Sequence, residues 1–255
     1  MKILSVIPLK KGLPLRDLTY FTSQEIPVGH IVAVPVRNKK TLALVTSSEN
    51  LEKSKGDIKG MHFNLKKVVE DKGPAVFLPE FLEVALEVSK YFALFRGSAV
   101  ASLLPNILIE EYDKLIKISV KNGSASGKNI WNNLRTEKLL FQYPTADRIS
   151  VYKTLIRESF ARKKSVFFLL PTGFDTDKWS AELSHGIEKF SFALHSGISA
   201  KKNLKTYEKL MGISGHPVLI IGTVPFLSIP RQDIGVIILE RESSNAYRTM
   251  NRPFL

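Results

Sequence analysis

The chain has 255 residues, 44% of them hydrophobic, which is enough to bury one large core or two ordinary ones. Lysine and arginine outnumber aspartate and glutamate by 37 to 24, a formal charge of +13 that suits a polyanionic partner, nucleic acid first among them. Cysteine is absent, which excludes disulfides and thiolate zinc or iron–sulfur sites, and the 5 histidines are not paired at metal-ligand spacing, so no zinc or other metal is expected.

The first ten residues carry an apolar run cut at Pro8, too short for a signal peptide. No window reaches the roughly 20 apolar residues of a membrane span. The expected location is therefore cytoplasmic, with no membrane partner. Residues 1–45 alternate apolar and polar positions and are broken by Pro and Gly, as in Pro27-Val-Gly-His-Ile-Val-Ala-Val-Pro and Thr41-Leu-Ala-Leu-Val, a pattern that predicts short antiparallel strands. Residues 46–60 are polar and aperiodic and read as an exposed loop before a further strand at Leu65-Lys-Lys-Val-Val-Glu.

Pro79 opens a helix whose inner face is Phe81, Leu82, Ala85, Leu86, Ser89 and Phe92 or Ala93, with Glu80, Glu83, Glu87 and Lys90 opposite. After Leu104-Pro105 the pattern weakens, and Lys121-Asn-Gly-Ser-Ala-Ser-Gly-Lys has the small polar residues of a linker. The expected organisation is a β domain with a closing helix over 1–105, a linker over 106–136 and a second domain over 137–255. In that second domain helical segments alternate with Val166-Phe-Phe-Leu-Leu-Pro, Phe192-Ala-Leu-His, Val218-Leu-Ile-Ile-Gly-Thr and Val236-Ile-Ile-Leu-Glu. Runs apolar on both faces between helices predict a parallel sheet covered on two sides. The fold class is α/β: a small, mostly-β N-terminal domain followed by a parallel-sheet lobe of nucleotide-binding architecture.

Four segments of the second half, in order, resemble the first helicase lobe of the PriA family of replication-restart helicases. Leu139-Leu-Phe-Gln-Tyr-Pro-Thr-Ala-Asp-Arg-Ile-Ser-Val-Tyr stands where the family has a strand, its phosphate loop and Glu-Val-Tyr. Leu194-His-Ser-Gly-Ile-Ser and Ile220-Ile-Gly-Thr match its His-Ser-Gly and Ile-Gly-Thr motifs, and Ile234-Gly-Val-Ile-Ile-Leu-Glu-Arg-Glu-Ser falls on its Asp-Glu-Glu-His strand, with Tyr247 retained. In the first half, Pro27-Val-Gly-His-Ile-Val-Ala-Val-Pro, Leu65-Lys-Lys-Val-Val-Glu, Tyr91-Phe-Ala and Leu103-Leu-Pro resemble the family's DNA 3′-end-binding domain. The resemblance covers about four-fifths of the chain and implies a DNA-binding β domain followed by a RecA-like lobe of the P-loop type. It also implies ATP and magnesium as the family's cofactors.

A phosphate loop needs glycines that let backbone N–H groups wrap phosphate, a Lys for the terminal phosphates and a hydroxyl for magnesium. By the resemblance the glycine positions hold Gln142 and Asp147, the Lys position Arg148 and the hydroxyl position Ile149. Glu240 stands for the metal-binding Asp, Arg241 for the first Glu, and Glu242 keeps the second. Hydrolysis is therefore not expected, and no catalytic residue or cofactor is assigned. The chain also ends before the family's second helicase lobe, so no motor is expected. Arg148 and Glu240 are expected as surface residues of a degenerate loop; the alternative gives them a weak phosphate contact.

The family's end-binding pocket uses a Phe-Asp pair before a Tyr, a Gly and a Lys. Here these positions are Leu18 and Thr19 before Tyr20, Arg37 and Lys66. Arg37, Lys39, Lys40, Lys66 and Lys67 supply cations for a phosphate backbone if their strands adjoin as the resemblance implies. Lys201, Lys202 and Lys205 carry a weaker signal of the same kind, and His195 reads as structural. The leading expectation is a PriA-like protein that binds branched or single-stranded DNA, with primosome or single-strand-binding proteins as further partners and no ATPase of its own. The alternatives are the N-terminal part of a split or truncated DNA helicase and a non-enzymatic scaffold.

Overall fold

The structure, a computed structural model, describes residues 1–10, 16–50, 65–121 and 137–247. The chain divides into two compact units, Met1–Lys117 and Ile118–Met250. The Gly- and Ser-rich part of the expected linker and the C-terminal 248–255 lie outside the described residues, as does 51–64 of the expected loop.

The first unit contains β1 (Lys2–Pro8), β2 (Leu18–Thr22), β3 (His30–Val36), β4 (Lys39–Asn50), β5 (Lys66–Lys67) and β6 (Glu70–Pro74), in the sheet order β5-β2-β1-β4-β3-β6. All neighbours are antiparallel except β2 and β5. The two outer members of this order belong to one stretch of chain, and the residues between them bond both ways. Val68 N–H donates to Phe21 O at 3.0 Å and Val69 N–H to Ala33 O at 2.9 Å. Residues 66–74 thus join the two ends of the sheet and close it into a small barrel, which removes its exposed edges. Alternate residues point inward, so Val32, Val34 and Val36 of β3 meet Leu4, Val6, Tyr20 and Val45 in the interior. Thr46–Asn50, expected as loop, instead extend β4, because Ser47–Asn50 pair with Lys2–Ser5 across a bulge at Ser5/Val6. Cross-strand pairing overrides polar composition there.

Helix α1 (Pro79–Tyr91) starts on Pro79 as expected and buries Ala85 and Ser89. Helix α2 (Arg96–Leu103) comes so close to β1 that a Cβ on Gly97 would lie 2.4 Å from Pro8 O. The first part of the expected linker is ordered as α3 (Asn106–Glu110) and α4 (Tyr112–Lys121). The reason is apolar anchorage: Ile107, Leu108, Tyr112 and Leu115 are buried, and the Tyr112 hydroxyl donates to Pro74 O at 2.7 Å.

The second unit runs α5 (Thr145–Ala161), β7 (Ser165–Leu169), α6 (Gly173–Leu183), β8 (Ser191–Leu194), α7 (Ala200–Gly212), β9 (Leu219–Gly222) and β10 (Ile234–Leu239). Its four strands are parallel, in the order β10-β7-β9-β8, and β7 and β9 are buried on both faces, as their unbroken apolar runs predict. α5 and α6 cover one face, where Tyr152, Phe168 and Trp179 form an aromatic trio with ring centroids 5.0 to 5.7 Å apart. The step from β7 to β8 crosses the sheet in one direction and the step from β8 to β9 returns, so right-handed crossovers place α7 on the opposite face.

Among the described residues β10 pairs only with β7, and Ile237 and Leu239 are 58% and 47% exposed. Leu139–Tyr143, expected as a strand, is not one: Leu139 and Leu140 are 63% and 83% exposed. A strand exists only by pairing, and this run has no described neighbour to pair with.

The lower ends of β7 and β10 and the end of α7 meet at Asp233. Arg231 donates to both carboxylate oxygens of Asp233 at 2.8 and 2.7 Å and reaches Leu210 O and Ile213 O at 3.0 and 3.1 Å, while the Ser165 hydroxyl also donates to Asp233. Burial alone would raise the Asp233 carboxyl, but the bonds from Arg231 and Ser165 outweigh it and hold the group below its ordinary value. A depressed carboxyl stabilises the fold above its unfolded pKa, near 4, and that contribution is lost as pH falls through the lower folded value. Asp233→Asn is expected to cost about 1–2 kcal/mol at neutral pH and to flatten the acid limb of stability, read as thermal midpoints from neutral pH downward. An unaltered acid limb would contradict this.

Candidate functional site

The candidate DNA-contacting residues sit on the barrel. Lys66 is in register with Tyr20 and Lys67 with Phe21. Tyr20 is buried, and its hydroxyl donates to Pro35 O at 3.0 Å, two residues before Arg37. Burial holds this phenol above its ordinary pKa, so it stays a neutral donor. Tyr20 thereby ties β2, the strand beside Lys66, to the end of β3. Beyond it Arg37 and Asn38, at φ 46° and 62°, form a two-residue hairpin turn that pairs Val36 with Lys39. A left-handed Arg costs roughly 1–2 kcal/mol that a glycine would not, so Arg37 is held by the hairpin against its own preference.

Lys66 and Lys67 thus lie beside β2, and Arg37 and Lys39 at the hairpin that follows the Pro35 to which Tyr20 bonds, all four exposed. None has an ion-pair partner among the described residues. Lys40 differs, since its ammonium lies 2.7 Å from Glu70, whose carboxyl is held below its usual range by hydrogen bonds from Lys40 and then Lys72. Leu18 packs against the barrel core, and Thr19 is half-buried opposite Ser5. Neither offers an exposed aromatic ring or a carboxylate.

The positions expected for nucleotide lie at the carboxyl end of the second sheet and are arranged otherwise than expected. Glu240 is 2% exposed. Its Oε1 lies 3.0 Å from Arg148 Nη2, its Oε2 accepts from the Tyr152 hydroxyl at 2.6 Å, and its backbone oxygen accepts from the Tyr247 hydroxyl at 2.7 Å. The expectation of surface residues is corrected here. α5 begins at Thr145, so Arg148 and Tyr152, one helical repeat apart, share the face turned to the end of β10. Burial first, then the bond to Glu240, pushes the Tyr152 phenol well up; burial first, then the charge of Glu240, does the same for Tyr247.

Gln142 is exposed in the extended stretch before α5, and Asp147 is exposed in the first turn of α5. Ile149 packs against the second unit's core. Arg241, at φ 53°, is ion-paired with Asp175, whereas Glu242 is exposed. A phosphate would need Arg148 and a magnesium ion Glu240, yet each is already engaged by the other. No group of three His, Asp or Glu among the described residues could hold a metal. These residues do not fit a nucleotide–magnesium pair.

His195 is buried, with Nε2 3.1 Å from Asp177 Oδ1 and Nδ1 accepting from Gly197 N–H at 3.2 Å. Asn203 donates to its backbone oxygen at 3.0 Å, and a Cβ on Gly173 would lie 2.3 Å from its Nδ1, so this histidine organises the loop before α7. Sequence reasoning did not single out Tyr152 or Asp175. The four-residue spacing of Arg148 and Tyr152 is the signal that marks the first of them; Asp175 meets Arg241 only through tertiary packing.

No protein-family model matches the chain. Replication restart protein PriA from one strain of Helicobacter pylori is 24% identical over 253 residues, covering 97% of this chain and 38% of the relative. The protein of the same name from a second strain is 25% identical over 254 residues with the same coverage. That of Rickettsia prowazekii is 23% identical over 256 residues, covering 95% of this chain and 37% of the relative. The chain thus spans well under half the length of the relatives it matches. Along nearly all of its own length it is a PriA-like chain, corresponding to the N-terminal part of those longer proteins.

Proposed function

We propose that this chain binds branched or single-stranded DNA in replication restart and does not itself turn over ATP. The observation that carries the reading is the set of four exposed cations, Lys66 and Lys67 beside β2 and Arg37 and Lys39 at the hairpin after β3, on a closed barrel of a PriA-like chain. Such cations neutralise phosphates and release counterions, a sequence-independent interaction that weakens steeply with salt. Leu18 and Thr19, the positions at which the family would read a terminal base, are half-buried and carry no ring, so this surface follows the backbone rather than reading a 3′ end. The engagement of Glu240 by Arg148 and Tyr152 supports the absence of turnover. Primosome and single-strand-binding proteins are the protein partners this role implies.

The test is fluorescence anisotropy with a model fork, a single strand and a plain duplex at two salt concentrations, with and without ATP and magnesium. Fork-preferring, salt-sensitive and ATP-indifferent binding is expected. Replacing all four cations with glutamine should lower the salt slope on single strands by about 3, near 0.7 for each phosphate no longer neutralised. Absence of binding at low salt would sink the reading.

Among the described residues β10 is an edge strand paired only with β7, which favours a second reading in which another polypeptide extends the sheet as part of a split helicase. Binding that responds to ATP would select it.

A further inference from the structure

We infer that the second unit carries its own DNA-backbone surface, a lysine stripe along the outer side of α7. This rests on the DNA-binding reading above and places a contact of the same kind on a different unit. The inner side of α7 buries Asn203, Tyr207 and Leu210. Its outer side exposes Lys201, Lys202, Lys205 and Lys209. Lys201, Lys205 and Lys209 are each four residues apart, so they follow one face of the helix at steps of about 6 Å. Phosphates along one DNA strand rise by about 3.4 Å each, so three ammonium groups at this spacing match alternate phosphates.

The arrangement is unfavourable to α7 itself. Two of the lysines lie in its first turn, which holds no acidic residue, so they face the positive end of the helix dipole. Like charges four residues apart also repel. None of the four lysines makes an ion pair among the described residues, and Glu208 is the sole carboxylate on the helix. The helix end is already capped by Ser199, whose hydroxyl accepts from Lys202 N–H at 3.4 Å, so capping does not call for these charges. A solvated surface helix gains from mixed signs; this one concentrates a single sign along one face, where mutual repulsion and, in the first turn, the dipole oppose it, and only Lys209 in the last turn is favoured by the dipole. A polyanion lying along α7 removes both penalties together.

Stability and binding should therefore respond in opposite directions. The full chain carrying Lys201→Gln, Lys205→Gln and Lys209→Gln is compared with the unaltered chain by anisotropy with a fluorescein-labelled oligothymidylate of about 30 nucleotides, at about 50 and 200 mM salt. The salt slope should fall by about 2, so that the affinity lost between the two salt concentrations shrinks by about 20-fold. The thermal midpoint should hold or rise, because repulsion has been removed. The corresponding Lys→Arg triple variant should keep the full slope.

An unchanged slope in the glutamine variant, with the barrel variant still losing its own share, overturns the stripe and leaves the DNA-binding reading intact. Loss of slope in both the glutamine and arginine variants overturns it as well, since charge would then not be the cause. Failure of the unaltered chain to bind the oligonucleotide at all sinks both readings, including the case where it binds phosphatidylglycerol vesicles instead.

Discussion

Glu240→Ala is expected to destabilise the second unit by about 3 kcal/mol, measured by urea unfolding, because it strands two partners at once. Arg148 would keep a largely covered guanidinium with no carboxylate, and its Nε has no hydrogen-bond partner even now. Tyr152 would lose its acceptor at 2.6 Å. A buried group deprived of its partner forfeits the full cost of desolvation, whereas removal of both partners leaves nothing unpaired. The paired variant Glu240→Leu with Arg148→Met should therefore recover most of the loss. A nearly neutral Glu240→Ala, or one that begins to bind ATP, would show that the pair does not hold the end of β10 to α5.

Phe168→Ala should cost about 4 kcal/mol, in the range found when a fully buried Phe is truncated. Phe168 is completely buried between Tyr152 and Trp179, with ring centroids 5.0 and 5.2 Å away. The cavity would open under α5 and α6 together, so neither helix could close it by a local shift. Trp179 lies against that cavity, and its fluorescence should move toward the solvent-exposed value at lower denaturant than in the unaltered chain. A cost below about 1 kcal/mol would mean that the trio repacks, and that the core of this lobe lies elsewhere.

The parallel sheet was legible because β7 and β9 are covered on both faces, and burial of that kind leaves an unbroken apolar run in the sequence. The helix at Pro79 was legible for a similar reason, through its start residue and its spacing. Leu139–Tyr143 has the composition of a strand but lacks a described neighbour, and composition carries no information about neighbours. Ser47–Asn50 show the converse: polar residues become strand because β1 is there to pair with them. At the candidate site, Lys66 and Arg37 could be named from a resemblance, but the Tyr20 hydroxyl that reaches Pro35 across the barrel, from the strand beside Lys66 to the one before Arg37, is a tertiary bond with no local signature. Glu240 was named as a position and misjudged as an environment. Its burial follows from the stop of β10 beneath Arg148 and Tyr152, a tertiary fact with no local signature.

The closure of the barrel by residues 66–74 also sets the time at which the first unit can fold. β1 to β4 are antiparallel neighbours that can pair as soon as they leave the ribosome, but β2 and β3 then each keep one open edge. Both edges are satisfied by a single later stretch, through Val68 to Phe21 and Val69 to Ala33. Until that stretch emerges, the nascent chain is an open sheet with two sites for mispairing. Once it arrives, one segment seals both edges at the same moment, so the barrel forms late and all at once, at the slower pace set by contacts distant in sequence.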